Sequence, residues 1–260
     1  MEIKIGIGIR SNEPQLIKEA NELFKSGILD FVELFIIPET EVTPFKKLEM
    51  PLTIHAPHDG YGVNLADPKK LDFSVKCVNQ ALSAADKLEA DYVVCHPGFI
   101  NENFDYSVAM ESLITALSYF KSKRICVENL PYKGIFNSSI CMCYSPEDIK
   151  KVLLKLAKKS IGFCLDLNHA YKAAISLKKS PIALIDEFKD LKPAYFHLSD
   201  GSISVEHDEH LALGQGNYDL RLIKNFIQDS KTRMVVIETR RQSKMSLEEN
   251  IKDINFLRDL

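Results

Sequence analysis

The stretch 197–216 concentrates side chains that bind metal ions around one polar loop. His197 closes an apolar run, and Asp208 and His210 follow on the loop, which ends in a Gly-x-Gly turn. Neutral imidazole together with carboxylate is a ligand set that suits Zn²⁺ or Mn²⁺. This combination on one loop predicts a divalent-metal site.

Other histidines and acids follow apolar, strand-like runs elsewhere in the chain. They are His55, His58, His96, Glu128, Asp166, His169 and Glu238. An acid placed directly after a buried strand costs free energy unless it is paired or binds a metal. A single residue of this kind is usually a hydrogen-bonding core or cap residue, so it is their number that favours a metal site. His55 and His207 receive no assigned role.

The segments that carry these residues alternate between strand-like and helix-like patterns. Short apolar runs predict eight strands, at residues 3–9, 31–37, 52–56, 92–95, 125–128, 161–165, 194–197 and 234–238. Amphipathic segments between them predict helices, the longest over 68–88, and such alternation implies a parallel sheet. Eight units in 260 residues have the size of a closed (β/α)8 TIM barrel. We predict a single α/β domain over 1–260.

A closed barrel also explains why the polar residues follow the strands. The carboxyl ends of all barrel strands open on one face, where the active site of such enzymes lies. The alternative, an open doubly wound sheet, normally has a Gly-rich turn after its first strand. This chain has Arg10-Ser11-Asn12 there, which favours the barrel.

Composition excludes several classes of protein. No apolar run approaches the roughly 18 residues of a membrane span, and the N-terminus lacks the pattern of a signal peptide. We therefore expect a cytoplasmic protein without a membrane partner. The net charge of −3 and the lack of a basic tail argue against strong non-specific nucleic-acid binding, although bound divalent cations would invert the field of an acidic site. Cys95, Cys126 and Cys164 lie in apolar runs and are predicted to be buried free thiols.

Six motifs, in order along the chain, carry a resemblance to a known family. They are His58-x-x-Tyr61-x-x-Asn64, His96-Pro97-Gly98, Glu128-Asn129, Asp166-x-x-His169, His197 with Asp208-Glu209-His210, and Glu238-Thr239. Together they resemble the endonuclease IV group (AP endonuclease family 2) of the xylose isomerase-like TIM barrels. The resemblance covers nearly the whole chain.

The resemblance implies a site with up to three Zn²⁺ ions, for which Mn²⁺ is an alternative. The implied ligand groups are His58, His96 and Glu128; Glu128, Asp166, His197 and Glu238; and His169, Asp208 and His210. Glu128 would bridge the first two ions, and Glu128 with Glu238 would be the catalytic carboxylates. Tyr61 and Asn64 of the first motif, and Arg240 after the last strand, are predicted substrate contacts. The implied activity is hydrolysis of the phosphodiester at abasic sites in DNA.

Departures from the family pattern keep a second function open. Gly62 stands where the family usually has a bulky apolar residue, and the run after His197 lacks the usual basic residue. The alternative is a sugar or sugar-phosphate isomerase or epimerase that uses one divalent metal, with Glu128 and Glu238 as its acid–base pair. A non-enzymatic, metal-dependent binding barrel is the third hypothesis.

Overall fold

Eight parallel strands close into a barrel in the computed structural model, which describes residues 2–100, 105–134 and 139–260. The eight barrel strands and the two strands of a separate ribbon are, in chain order, β1 (Lys4–Arg10), β2 (Phe31–Phe35), β3 (Leu52–His55), β4 (Val93–Cys95), β5 (Phe99–Ile100), β6 (Ile125–Glu128), β7 (Ile140–Cys141), β8 (Gly162–Asp166), β9 (Tyr195–Leu198) and β10 (Met234–Ile237). Around the barrel the order is β1, β10, β9, β8, β6, β4, β3, β2, and β5 pairs with β7 in a separate antiparallel ribbon. The predicted single TIM-barrel domain is confirmed.

Helices follow most barrel strands and cover the outside of the sheet. They are α1 (Ile17–Lys25), α2 (Leu71–Leu88), α3 (Tyr106–Tyr119), α4 (Pro146–Lys155), α5 (Leu167–Leu177), α6 (Pro181–Lys189), α7 (Leu220–Asp229) and α8 (Glu248–Asp259). The segment after β2 forms only a short 3-10 helix, Thr43–Lys47. None of the described helices is both long and apolar enough to cross a membrane.

The longest helix starts later than its sequence pattern predicts. The predicted start is residue 68, whereas α2 begins at Leu71. The carboxylate of Asp67 accepts a hydrogen bond from the backbone N–H of Lys69, and its carbonyl accepts one from Lys70. This local turn competes with helix formation, as short acidic side chains commonly do.

Apolar side chains fill the end of the barrel at which the strands begin. A small cluster there includes Phe31, Tyr195 and the thiols of Cys126 and Cys164. Gly6 permits this packing, because a Cβ atom at that position would lie 2.5 Å from the ring of Phe31. The larger core lies between the sheet and the helices. All six cysteines are buried free thiols, which confirms the prediction for three of them.

Candidate metal centre

The predicted ligands converge at the carboxyl end of the barrel. Glu128, Asp166 and His197 lie at the ends of β6, β8 and β9, while His96 and Glu238 directly follow β4 and β10. The remaining predicted ligands lie on the loop after β3, in the first turn of α5 and on the loop after β9. A cavity of about 550 Å³ opens at this face. Strand direction therefore accounts for the convergence.

Four side chains form what we call the central cluster: Glu128, Asp166, His197 and Glu238. One donor atom from each lies within 4.8 Å of all the others. Nδ1 of His197 is 3.2 Å from Oε1 of Glu128 and 3.2 Å from Oε1 of Glu238. Oε2 of Glu128 and Oδ2 of Asp166 are buried and accept no hydrogen bond from any residue that the structure describes. In the described parts of the chain no Lys or Arg forms an ion pair with these three carboxylates, so the cluster fits a divalent cation.

The two glutamates of the central cluster have different proton affinities. Burial raises the pKa of Glu128, but the imidazoles of His197 and His96 lower it by more, to well below its usual range. Burial also raises the pKa of Glu238; His197 lowers it and Glu128 raises it, and the net result is a raised pKa. Glu238 is therefore the stronger base of the pair.

A second group, the loop cluster, consists of His169, Asp208 and His210. Nδ1 of His169 is 2.9 Å from the carbonyl oxygen of Asn129, and Nδ1 of His210 is 2.7 Å from that of Glu238. These contacts place the ring protons on Nδ1 and leave both Nε2 atoms facing Oδ2 of Asp208, at 3.5 and 2.6 Å. Imidazoles oriented through their other nitrogen are typical of metal ligands.

The loop that carries Asp208 is held by residues without a motif signal. Asn168 donates a hydrogen bond to Oδ1 of Asp208, which leaves Oδ2 for a metal. Lys172 on α5 is fully buried, and its Nζ contacts the carbonyl oxygens of Ser202 and Val205 and the carboxylate of Glu209. A helical lysine three positions after a predicted ligand was the only available sequence signal.

The outer part of the site differs from the grouping that the resemblance implies. His96 belongs to two groups of possible ligands, one with His58 and Asp59 and the other with His55 and Glu128. Nδ1 of His96 is 3.2 Å from Oδ1 of Asp59, and its Nε2 is 3.3 Å from Oε2 of Glu128. The predicted group paired His58 with Glu128, whereas the structure places His55 beside that carboxylate.

A buried carboxylate that the sequence motifs did not identify lies behind the central cluster. Glu33, in the middle of β2, is 1% exposed and accepts hydrogen bonds from the hydroxyls of Thr53 and Tyr195. Burial raises the pKa of Glu33, but the facing His197, together with His55 and the Tyr195 hydroxyl, lowers it to about 2. The signal in the sequence was a single acid inside the apolar run 31–35.

The three predicted substrate contacts have different surroundings. Tyr61 and Arg240 line the cavity. Asn64 is fully buried outside the cavity lining, and its amide bonds the backbone of Ala66 and both the N–H and the carbonyl of Phe99. We do not retain Asn64 as a substrate contact, because these bonds commit its polar atoms to the loop backbone.

Cationic side chains stand along one side of the cavity. Arg10, Arg240, Arg241 and Lys244 are among its lining residues. Arg241 is bound to the carboxylate of Glu13, whereas the other three are exposed. An anionic ligand would therefore meet positive charge beside the acidic clusters.

Comparison with known proteins assigns the fold to a family. The family model described as xylose isomerase-like TIM barrel matches residues 43–260. A relative named probable endonuclease 4, from Mycoplasmopsis synoviae, is 28% identical over 210 residues, which are 76% of this chain and 73% of the relative. Two further relatives of that name, from Metamycoplasma arthritidis and Mycoplasmoides gallisepticum, are 28% and 31% identical, and the matches span 65% and 63% of their lengths.

Solved structures with the same fold belong to proteins that are named for different activities. Endonuclease IV from Thermus thermophilus has a TM-score of 0.69 at 23% identity, covering 98% of each chain. A D-tagatose 3-epimerase-like protein has a TM-score of 0.74 at 20% identity, covering 99% of this chain and 96% of its own. At these identities the likeness shows the shared fold.

Proposed function

The chain belongs to the xylose isomerase-like TIM barrels, and we propose that within this family it is a divalent-metal-dependent phosphodiesterase of the endonuclease IV type. Its proposed substrate is DNA with an abasic site, and Zn²⁺ is the proposed metal. The observation that carries the proposal is the loop cluster. The similarity of this chain to relatives named probable endonuclease 4 supports the same activity.

The loop cluster separates the two candidate chemistries. An isomerase or epimerase with a single metal needs only the central cluster. Here His169 and His210 are both oriented for ligation, although they lie outside that cluster. His210 also adopts a left-handed backbone conformation, with φ of 49°. Such a conformation is uncommon for residues other than glycine and often occurs at functional sites.

Residues of this chain would divide the work of hydrolysis among them. Zinc ions bound at such clusters activate water and neutralise the charge that develops on phosphate and leaving-group oxygens. Glu238, the stronger base of the pair, would take the proton from the attacking water. Arg10 and Arg240 would bind flanking phosphates from the cavity wall, and Tyr61 would contact the nucleotide that enters the cavity.

A nicking assay on a duplex oligonucleotide with one abasic site tests the proposal. The zinc-loaded protein should cleave the damaged strand, and His210→Ala should lower the rate by about 100-fold or more because it removes a ligand. His207→Ala, on the exposed side of the same loop, is the matched control and should retain full activity. No cleavage by fully metallated wild-type protein would exclude the proposed substrate.

A sugar isomerase or epimerase is the second candidate, and one observation favours it. The segment after His197 is Leu198-Ser199-Asp200-Gly201, so the strand delivers no basic residue toward a DNA backbone, and DNA binding depends on many phosphate contacts. Glu128 and Glu238 would then transfer a proton between adjacent carbons of a polyol. In this case His210→Ala would leave epimerisation nearly unchanged.

A further inference from the structure

His55 is a buried histidine at the end of β3 to which the family motifs assign no role. Its side chain is 2% exposed. The imidazole stacks on the ring of Phe35, with centroids 4.2 Å apart and an interplanar angle of 13°. This stacking restricts the plane of the ring.

The two ring nitrogens of His55 have different neighbours. Nδ1 is 2.8 Å from the carbonyl oxygen of Ala56, which can only accept a hydrogen bond, so the proton lies on Nδ1. Nε2 is therefore the ring nitrogen that is left for a cation. It points into the site and lies 3.4 Å from Oε2 of Glu128.

The oxygen that faces His55 has no hydrogen-bond partner. Oε2 of Glu128 is fully buried and accepts no hydrogen bond in the described parts of the chain. Nε2 and this carboxylate oxygen attract each other only when a proton or a metal ion lies between them. Nε2 of His96 is 3.3 Å from the same oxygen, and the three donor atoms lie within 4.8 Å of one another.

From this geometry we propose that His55 is a metal ligand and that the outer ion is held by His55, His96 and Glu128. Two histidines and one glutamate are a known set for catalytic zinc, which keeps a further position open for water or substrate. Oε2 of Glu128 would bind this ion, while its Oε1 faces His197 of the central cluster. The proposal rests on the metal centre of the proposed function but not on its substrate.

The competing group, His58 with Asp59 and His96, has less need of an ion. Oδ1 of Asp59 lies 3.2 Å from Nδ1 of His96, which can donate a hydrogen bond to it, and Nδ1 of His58 accepts a hydrogen bond from the backbone N–H of Gly60. The side chain of His58 is also 27% exposed. We therefore assign His58 to the cavity wall, beside Tyr61.

Nuclear magnetic resonance of the histidine rings tests the proposal on the wild-type protein. The protein is labelled with ¹⁵N-histidine, stripped of metal and titrated with zinc, and the spectrum of His55→Gln identifies the His55 signals. We expect the Nε2 resonance of His55 to shift as zinc binds while Nδ1 keeps its proton. An unchanged His55 ring at zinc saturation would overturn the proposal, whatever the variants do.

Metal content of matched variants gives a second measurement. His55→Gln should lose one equivalent of zinc relative to wild type, or bind it about 100-fold more weakly, whereas His58→Gln and His207→Gln should keep it. Loss in both His55→Gln and His58→Gln would support the proposal and add His58 as a fourth ligand. Full zinc content in His55→Gln with loss only in His58→Gln would contradict it. Because neither readout uses cleavage, failure of the nicking assay would leave this result intact.

Discussion

Oε1 of Glu33 lies 3.0 Å from Nε2 of His197, on the side of the imidazole that faces away from the central cluster. The opposite nitrogen, Nδ1, faces Glu128 and Glu238. A carboxylate behind an imidazole holds the ring proton on the nitrogen that faces the carboxylate, and it raises the basicity of the opposite ring nitrogen. Glu33 therefore prepares His197 to bind a metal through Nδ1, although Glu33 offers no atom to the metal itself.

Glu33→Gln should weaken zinc binding at the central cluster by about 10- to 100-fold, because it removes the charge behind His197. Competition against a chromophoric chelator measures this affinity. Tyr195→Phe is the control: it deletes the hydroxyl that donates to Glu33 but keeps the carboxylate, so its effect should be smaller. Equal zinc affinity of Glu33→Gln and wild type would contradict the role assigned to Glu33.

Lys172→Met should destabilise the protein and release the loop that carries Asp208. The substitution leaves the carboxylate of Glu209 and the carbonyl oxygens of Ser202 and Val205 without their cation. We expect the free energy of unfolding in urea to fall by about 3 kcal/mol and one zinc equivalent to be lost. Lys179→Met, at an exposed position just after α5, should change neither quantity. A stable variant with full zinc content would show that the loop is held by other contacts.

Zinc affinity should increase with pH and binding should release protons. Burial lowers the pKa of His96, but Glu128 and Asp59 raise it by more, to about 10. Burial also lowers the pKa of His210, whereas Asp208 and Glu238 raise it to about 9. Both imidazoles are therefore protonated in the metal-free protein at neutral pH, and zinc must displace these protons.

Calorimetric titration in buffers of different ionisation enthalpy measures the number of protons released. At about pH 7.5 we expect roughly two protons from these imidazoles and further protons from His169 and His197, whose pKa values neighbouring groups also raise. His210→Ala should lower the total by about one. The affinity should rise until the pH exceeds the two pKa values. An affinity that does not change between about pH 6 and pH 9 would contradict this prediction.

Asp148→Asn should remove a pH-dependent loss of stability that has no connection with the metal site. Burial raises the pKa of Asp148, and Lys151 offsets this only in part, so the pKa is about 6 instead of 3.8. One carboxylate oxygen accepts a hydrogen bond from the hydroxyl of Tyr106, and the other is buried and has no hydrogen-bond partner among the described residues. The folded state thus keeps a proton that the unfolded chain releases at lower pH.

The sign of this effect follows from proton linkage. The stabilisation that comes from protonated Asp148 is complete below about pH 4. It is lost as the pH rises through about 6, and this loss lowers the free energy of unfolding by up to about 3 kcal/mol. Asp148→Asn should match wild type at low pH and be more stable above pH 6 in urea unfolding. Glu147→Gln, exposed in the same helical turn, is the control. A constant difference between Asp148→Asn and wild type at all pH values would contradict the prediction.

Local pattern in the sequence determined the barrel and the face on which the site lies. Buried strand-like runs alternate with amphipathic helices, and a parallel sheet brings the carboxyl ends of its strands to one face. Residues that end a strand, such as Glu128 and Asp166, could therefore be assigned to one site before any distance was known. The order of the motifs along the chain then indicated the family.

Tertiary structure alone decided which atoms face one another. Glu33 and His197 are far apart in the chain and meet because both point into the closed barrel, and no spacing in the sequence encodes that contact. The same holds for His55, whose stacking on Phe35 turns Nε2 toward Glu128. Asn64 shows the reverse case, since its motif predicted a substrate contact but its amide is hydrogen-bonded to the backbone of Ala66 and Phe99. Periodicity determines the face of an element, whereas closure of the barrel and packing of the loops determine the partner of each polar atom.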